Sequence, residues 1–345
     1  MLALVSLAAA ASVTDLPTKF RGDVTIGYAY DRVGGPLVET PLSGDPVEIA
    51  TRTLQDHQLR YGFTFAAGPG IAVFAEIPHS VDQSVSYTSP RTMVYDPTSQ
   101  SGTYVGTNVG ADGPAIEAKG VSGVWLGIKG TPWNEEFRTR NGVTWLVEGA
   151  LRTPDSSNLW TMSNGTRGAG GGGTAYRLHS AWSHTNEGSS PYLAVTWTHE
   201  NLLVVDTYAQ DGTKLASEVE VDPADTLRLR FGTQNLATAN EASGARLTFD
   251  LRATVDYASD ATVPGGIYLP NTLATTEGQA VQLAESLEGG AGMAMLWRPM
   301  TYLEFDLHGD VAAHLPQRIE HPYPVRTGWD TLHANVGLDM TVRVR

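Results

Sequence analysis

The sequence predicts an all-β chain folded as a transmembrane antiparallel up-and-down β-barrel of about twelve strands. Three observations predict it. Apolar side chains recur at every second position in strand-length runs, the period of a strand with one apolar and one polar face. Shorter connections alternate with long ones rich in Gly, Ser, Pro and Thr. No run reaches the ~20 apolar residues that a membrane-crossing helix requires.

At the N-terminus, Met1 to Val13 is a short apolar run with small residues at Ala9 to Ala11. It predicts a secretory signal peptide over residues 1–11, although no Lys or Arg precedes the apolar run. A short periplasmic lead over residues 12–19 and a single barrel domain over residues 20–345 would follow. The first strand is Asp23 to Asp31. It places Val24, Ile26, Tyr28 and Tyr30 on one face, and Asp23, Thr25, Gly27, Ala29 and Asp31 on the other. The last, Leu332 to Arg345, alternates without a break, and that length suits a tilted membrane strand better than a strand of a soluble sandwich.

Ten further strands form five pairs. Leu59 to Phe65 and Ile71 to Ile77 flank Ala67-Gly-Pro-Gly70, and Val124 to Thr131 and Val143 to Arg152 flank residues 132–142. Ala175 to Ser183 and Tyr192 to Thr198 come next, followed by Thr226 to Gly232 and Arg246 to Tyr257. Gly290 to Trp297 and Tyr302 to Val311 close the series. The long connections fall at roughly residues 32–52, 80–120, 154–173, 200–224, 259–284 and 313–330. Short periplasmic turns against long extracellular loops, with an even strand count, are the grammar of an outer-membrane barrel. Trp145, Trp182, Trp297 and Tyr302 fall near the short-turn ends, and Tyr30, Trp197 and Tyr257 near the long-loop ends, as aromatic girdles would.

In a membrane barrel the polar face lines the lumen. The inner parity carries Arg60, Glu76, Lys129, Glu148, Arg152 and Arg177. Arg228, Arg230, Asp250, Arg252, Glu304 and Asp306 continue the set, and His308, Asp310, Asp339 and Arg343 complete it. These are the candidate selectivity residues. Arg228 or Arg230 could pair with Asp250, and Asp306 or Asp310 with His333. The alternative is that they form the solvated outer face of a soluble sheet.

The net charge of -14 argues against nucleic acid as a partner, since phosphate binding needs a basic footprint. With no Cys, disulfides, zinc–thiolate centres, Fe–S clusters and thiol nucleophiles are excluded. Arg167 to Thr174 is Gly-rich but lacks the Lys-Ser/Thr ending of a phosphate loop, and is expected to be a flexible external loop. Glu304, Asp306, His308 and Asp310 stand on one face of one strand running toward the outer rim, where an Asp/His set could serve general acid–base chemistry, a cation, or lumen electrostatics. Lumen electrostatics is the expectation, with no catalytic residue, no cofactor and no metal.

The run from Tyr61-Gly-Phe63 through Gly70-Ile-Ala-Val-Phe-Ala-Glu-Ile-Pro78, with Gly123-Val-Trp-Leu-Gly-Ile-Lys-Gly130, resembles the porin-like and transporter barrels of Gram-negative outer membranes. The nearest look is to the transporter family linked with degradation of aromatic compounds by the phenol meta-pathway. The resemblance implies an outer-membrane channel passing small solutes passively or with weak selectivity, with membrane lipid and a small molecule as partners. It departs from such barrels in ending Val342-Arg-Val-Arg345, where an aromatic residue is usual. Two other functions are compatible with the residues. One is a non-conducting barrel whose long loops bind a partner protein, a surface ligand or a second copy of the chain. The other is a rim-site hydrolase using Asp306, His308 and Asp310.

Overall fold

A computed structural model describes residues 21–39, 45–88, 91–96, 101–106, 116–133, 143–154, 162–163, 166–170, 172–184, 188–208, 212–240, 242–264, 280–320, 325–328 and 330–344. The expected signal peptide and lead lie outside the described residues. Twelve strands form the barrel wall. They are β1 (Gly22–Glu39), β2 (Val47–Gly68), β3 (Ile71–Thr88), β4 (Trp125–Trp133), β5 (Val143–Arg152) and β6 (Ala175–His184). The second half comprises β7 (Ser189–Glu200), β8 (Thr226–Asn240), β9 (Ala245–Ala258), β10 (Ser286–Met300), β11 (Leu303–His314) and β12 (Leu332–Val344). Each pairs antiparallel with the next, and β12 returns to β1 in a register running from Gly22 opposite Val344 to Gly34 opposite Leu332. Closure leaves no open edge, so the wall's backbone groups can all be satisfied between strands, which lipid demands.

The side chains are turned the opposite way from those of a soluble sheet. Ile26, Phe63, Ile128, Leu178, Phe231, Met293 and Leu338 are exposed on the outer surface. Small or charged residues between them, such as Ala29, Arg177 and Asp250, are buried. So continuous an apolar exterior would be a severe liability in water and is what a hydrocarbon solvent selects. The aromatic residues sit as expected. Trp145 and Trp182, opposite each other on β5 and β6, stack with centroids 6.4 Å apart near the short-turn end.

The strands are longer than the sequence predicts. β2 has 22 residues and β1 and β3 have 18 each, whereas a tilted membrane strand needs only about 9–11. Much of the expected long connections at 32–52 and 80–120 is therefore strand, reaching to Glu39, from Val47 and to Thr88. Beyond the wall, short hairpins continue outward. Leu203–Tyr208 pairs with Lys214–Val221, and Ala261–Pro264 with Ala280–Leu283. Arg318–Glu320 pairs with the latter and with Val325–Thr327, which itself joins the outer end of β1.

One face of these long strands changes character along its length. On β1 and β2 the inward parity that carries Gly27 and Arg60 deeper in the barrel carries Leu37, Ala50 and Leu54 at the outer end. These join Ile49, Val85, Tyr87, Val205, Val221, Val263, Leu283, Ile319 and Val325 in one buried apolar cluster. The cause is the surrounding solvent. Within the bilayer the outside is oil and the inside is polar; above it the outside is water and the apolar groups turn in. Ala169 belongs to this cluster and Arg167 is buried, so the described part of the Gly-rich segment is packed rather than a free loop.

Candidate functional site

The candidate site is the barrel interior, built from the inward parity of the twelve strands. The strand period of two fixes which side chains enter, and the cross-strand register fixes which of them meet.

On β3 to β6 the centre is Arg177, 2% exposed. Its Nη1 and Nη2 donate to Glu76 Oε2 at 3.0 Å, and its Nε donates to Glu148 Oε1 at 3.0 Å. The guanidinium lies 4.8 Å from the Trp125 ring centroid and 5.6 Å from that of Phe74, within cation–π range. Lys129 stands 5.6 Å above the same Phe74 ring. Nearer the outer end, Arg152 donates to both oxygens of Glu200, at 3.1 and 2.8 Å, and to the Gly173 carbonyl at 3.1 Å.

Between β8 and β11 a second network forms. Arg228 donates to Asp256 at 2.6 and 3.0 Å, the residue directly opposite it on β9. The pairing with Asp250 expected for Arg228 or Arg230 is not formed, because register places Asp250 opposite Gln234. Asp250 is held instead by Arg252 at 3.2 Å and by the Tyr192 hydroxyl at 3.0 Å. Arg252 also grips Asp310 with a two-pronged contact at 2.7 and 2.6 Å. Arg230, on the same inward face of β8, has a buried Nε without a hydrogen-bond partner.

Toward the short-turn end, the carboxylate of Glu304 gathers three arginines. Arg298 Nε donates to it at 2.7 Å, with Arg343 at 3.6 Å and Arg246 at 3.8 Å. Deeper in, Arg60 lies 3.9 Å from Asp339 and 3.4 Å from His308 Nε2, with Asp306 alongside. At the outer end of the lumen, His333 reaches Asp31 at 2.5 Å and Glu288 at 2.8 Å, and His314 reaches Glu288 at 2.8 Å. The expected partnership of Asp306 or Asp310 with His333 is not formed. His333 stands opposite Ala312 and Val33, and the acids are too far along β11. Above this layer a small cavity is bounded by Val33, Leu54, Leu283, Arg52, His314 and Thr331, where the apolar cap meets the polar lumen.

The Asp306, His308 and Asp310 set does not come together at the rim. Asp306 and His308 are buried in the wall's interior, and Asp310 is committed to Arg252. Several inward residues were missed by reading charges alone: Phe74, Trp125, Tyr192, Arg246, Glu288 and Arg298. Their parity was the available signal, since Phe74 shares the face of Glu76, Trp125 that of Lys129, and Arg246 that of Asp250.

No family model matches the sequence, and no curated protein matches it at a significant level. Among solved structures, an outer membrane channel from Pseudomonas putida F1 superposes with a TM-score of 0.50 at 10% identity, covering 96% of this chain and 97% of that one. A FadL homologue of Pseudomonas aeruginosa gives a TM-score of 0.40 at 12% identity, over 94% and 90% of the two chains. A variant of the TodX monoaromatic hydrocarbon channel gives 0.43 at 8%, over 94% and 91%. Along nearly its whole length, then, this chain shares the first protein's architecture: a closed, antiparallel barrel of the outer-membrane type.

Proposed function

We propose that the protein is an outer-membrane channel for small polar solutes, passive or weakly selective, with the inward charges from Arg60 to Arg343 lining the path. The observation that carries this reading is the reversed polarity of the wall, with charged residues inside and apolar residues outside. A barrel that only anchored itself in lipid could fill its interior with apolar side chains. Eight strands leave an interior filled by side chains and sixteen to eighteen leave an open pore. Twelve leave a narrow lumen, which ion pairs such as Arg177 with Glu148 and Arg252 with Asp310 constrict further. Arg230, with its unpartnered Nε beside the paired Arg228 and Arg252, is the group placed to favour an anion in passage. The shared fold of the Pseudomonas putida outer membrane channel fits this reading.

Single-channel recording in planar bilayers tests it. Discrete conductance steps are expected from the purified chain, with Arg230→Gln shifting the reversal potential toward cations. A barrel that inserts but stays silent overturns the proposal. One observation favours a second reading, a non-conducting barrel that binds a ligand or partner at the cell surface. The outer hairpins are packed on their own apolar core above the rim, as a built surface would be.

A further inference from the structure

Among the described residues, two trios of side chains bring metal-ligating atoms within 4.8 Å of one another. In the first, Glu288 reaches both His314 and His333 at 2.8 Å and His333 also reaches Asp31 at 2.5 Å, so its groups are already paired with one another. The second is different. Asp306 and His308 on β11 and Asp339 on β12 are each at most 5% exposed. Both carboxylate oxygens of Asp306, both of Asp339, and Nδ1 of His308 are buried without a hydrogen-bond partner. Taking a carboxylate out of water costs several kcal/mol unless something replaces the water, and proteins leave few such groups orphaned.

We infer that Asp306, His308 and Asp339 form a binding site for one divalent transition-metal ion, with zinc as its simplest occupant. His308 Nδ1 stands 3.7 Å from an oxygen of Asp306 and 3.9 Å from one of Asp339. An ion about 2.0–2.2 Å from each ligand would hold tetrahedral donors roughly 3.4 Å apart, so the two His308–carboxylate distances need to close by about half an ångström or less, and the three ligand atoms already lie within 4.8 Å of one another. The register creates the cluster, because Asp306 lies directly opposite Asp339 while His308 follows on the same inward face.

Two glycines keep the space open. A Cβ at Gly27 would land on the carboxylate of Asp339, and one at Gly337 would collide with the His308 ring. Two carboxylates match a dication in charge. With Nδ1 on the metal, His308 Nε2 keeps its proton, and the Arg60 guanidinium turns from it to Asp339, 3.9 Å away, orienting that ligand from behind. The donor set is nitrogen and oxygen only, and the chain has no cysteine to compete. Conductance plays no part in the inference.

The test uses the full chain, folded in detergent, stripped with EDTA, dialysed against micromolar zinc and analysed for metal. About one zinc per chain is expected in the wild type and in Glu288→Gln, which disrupts the other trio. Asp306→Asn and Asp339→Asn should each bind at least tenfold more weakly. No bound zinc in the wild type, retention by the two Asn variants, or loss in Glu288→Gln overturns the assignment. Should the Asn variants fail to fold, cobalt loading of the wild type reads the ligands directly. Intense visible bands of a four-coordinate site are expected, and the weak spectrum of hydrated cobalt would overturn the proposal.

Discussion

Arg177 shows how the interior is stabilised. Its charge is desolvated, and the cost is offset by two carboxylates and by aromatic faces on two sides. Such a pair adds little over a well-packed apolar substitute, but breaking it strands the partner. Arg177→Ala leaves Glu148 buried without its cation. We expect a loss of about 3–5 kcal/mol in urea unfolding from vesicles, with Glu148→Gln in the same background recovering part of it. On the outer Leu203–Tyr208 and Lys214–Val221 hairpin the same chemistry carries little weight. Lys214 donates to Asp206 at 2.6 Å, with both side chains exposed, and this hydrogen bond holds the Asp206 carboxyl below its ordinary range. A depressed carboxylate contributes stability above its unfolded pKa and loses it as the pH falls through the folded value. NMR titration of Asp206 should show a downward shift that Lys214→Met reduces, the backbone N–H of Glu218 holding the remainder, while the unfolding midpoint stays unchanged because exposed pairs are screened.

At the scale of the element, the strands are where reading the sequence succeeded and where it stopped. All twelve were legible within the bilayer, because lipid outside and polar lumen inside impose strict alternation on runs such as Leu332 to Val344. Their outer extensions were not. Above the membrane both environments change, Leu37, Ile49 and Leu54 turn into a core, and residues 32–52 no longer read as strand. Charged inward residues were equally legible by parity, but their partners were not, since register decides that Arg228 meets Asp256 and not Asp250. The element-scale prediction contrasts two exposed apolar residues. Leu338, on the lipid face of β12, should cost about 2–4 kcal/mol when replaced by Arg. Val204, more exposed but on the external hairpin, should accept Arg with little change in the same unfolding assay.

For the whole molecule, a polar lumen lies inside an apolar shell, and an apolar cap stands above its rim. The cap is continuous with the wall through β1 to β3, while the Leu203–Tyr208 and Lys214–Val221 hairpin that packs into it is a separate two-stranded sheet. The chain's lack of cysteine makes the central claim open to a direct measurement. Single cysteines placed at successive positions of β12 in reconstituted vesicles can be probed from lipid and from water. Cysteines at Val336, Leu338 and Met340 are expected to be quenched by bilayer-dissolved probes and spared by charged, water-soluble thiol reagents. Those at Asn335 and Thr341 should show the reverse. Equal labelling of both sets by the water-soluble reagent would contradict a lipid-embedded barrel with an aqueous interior.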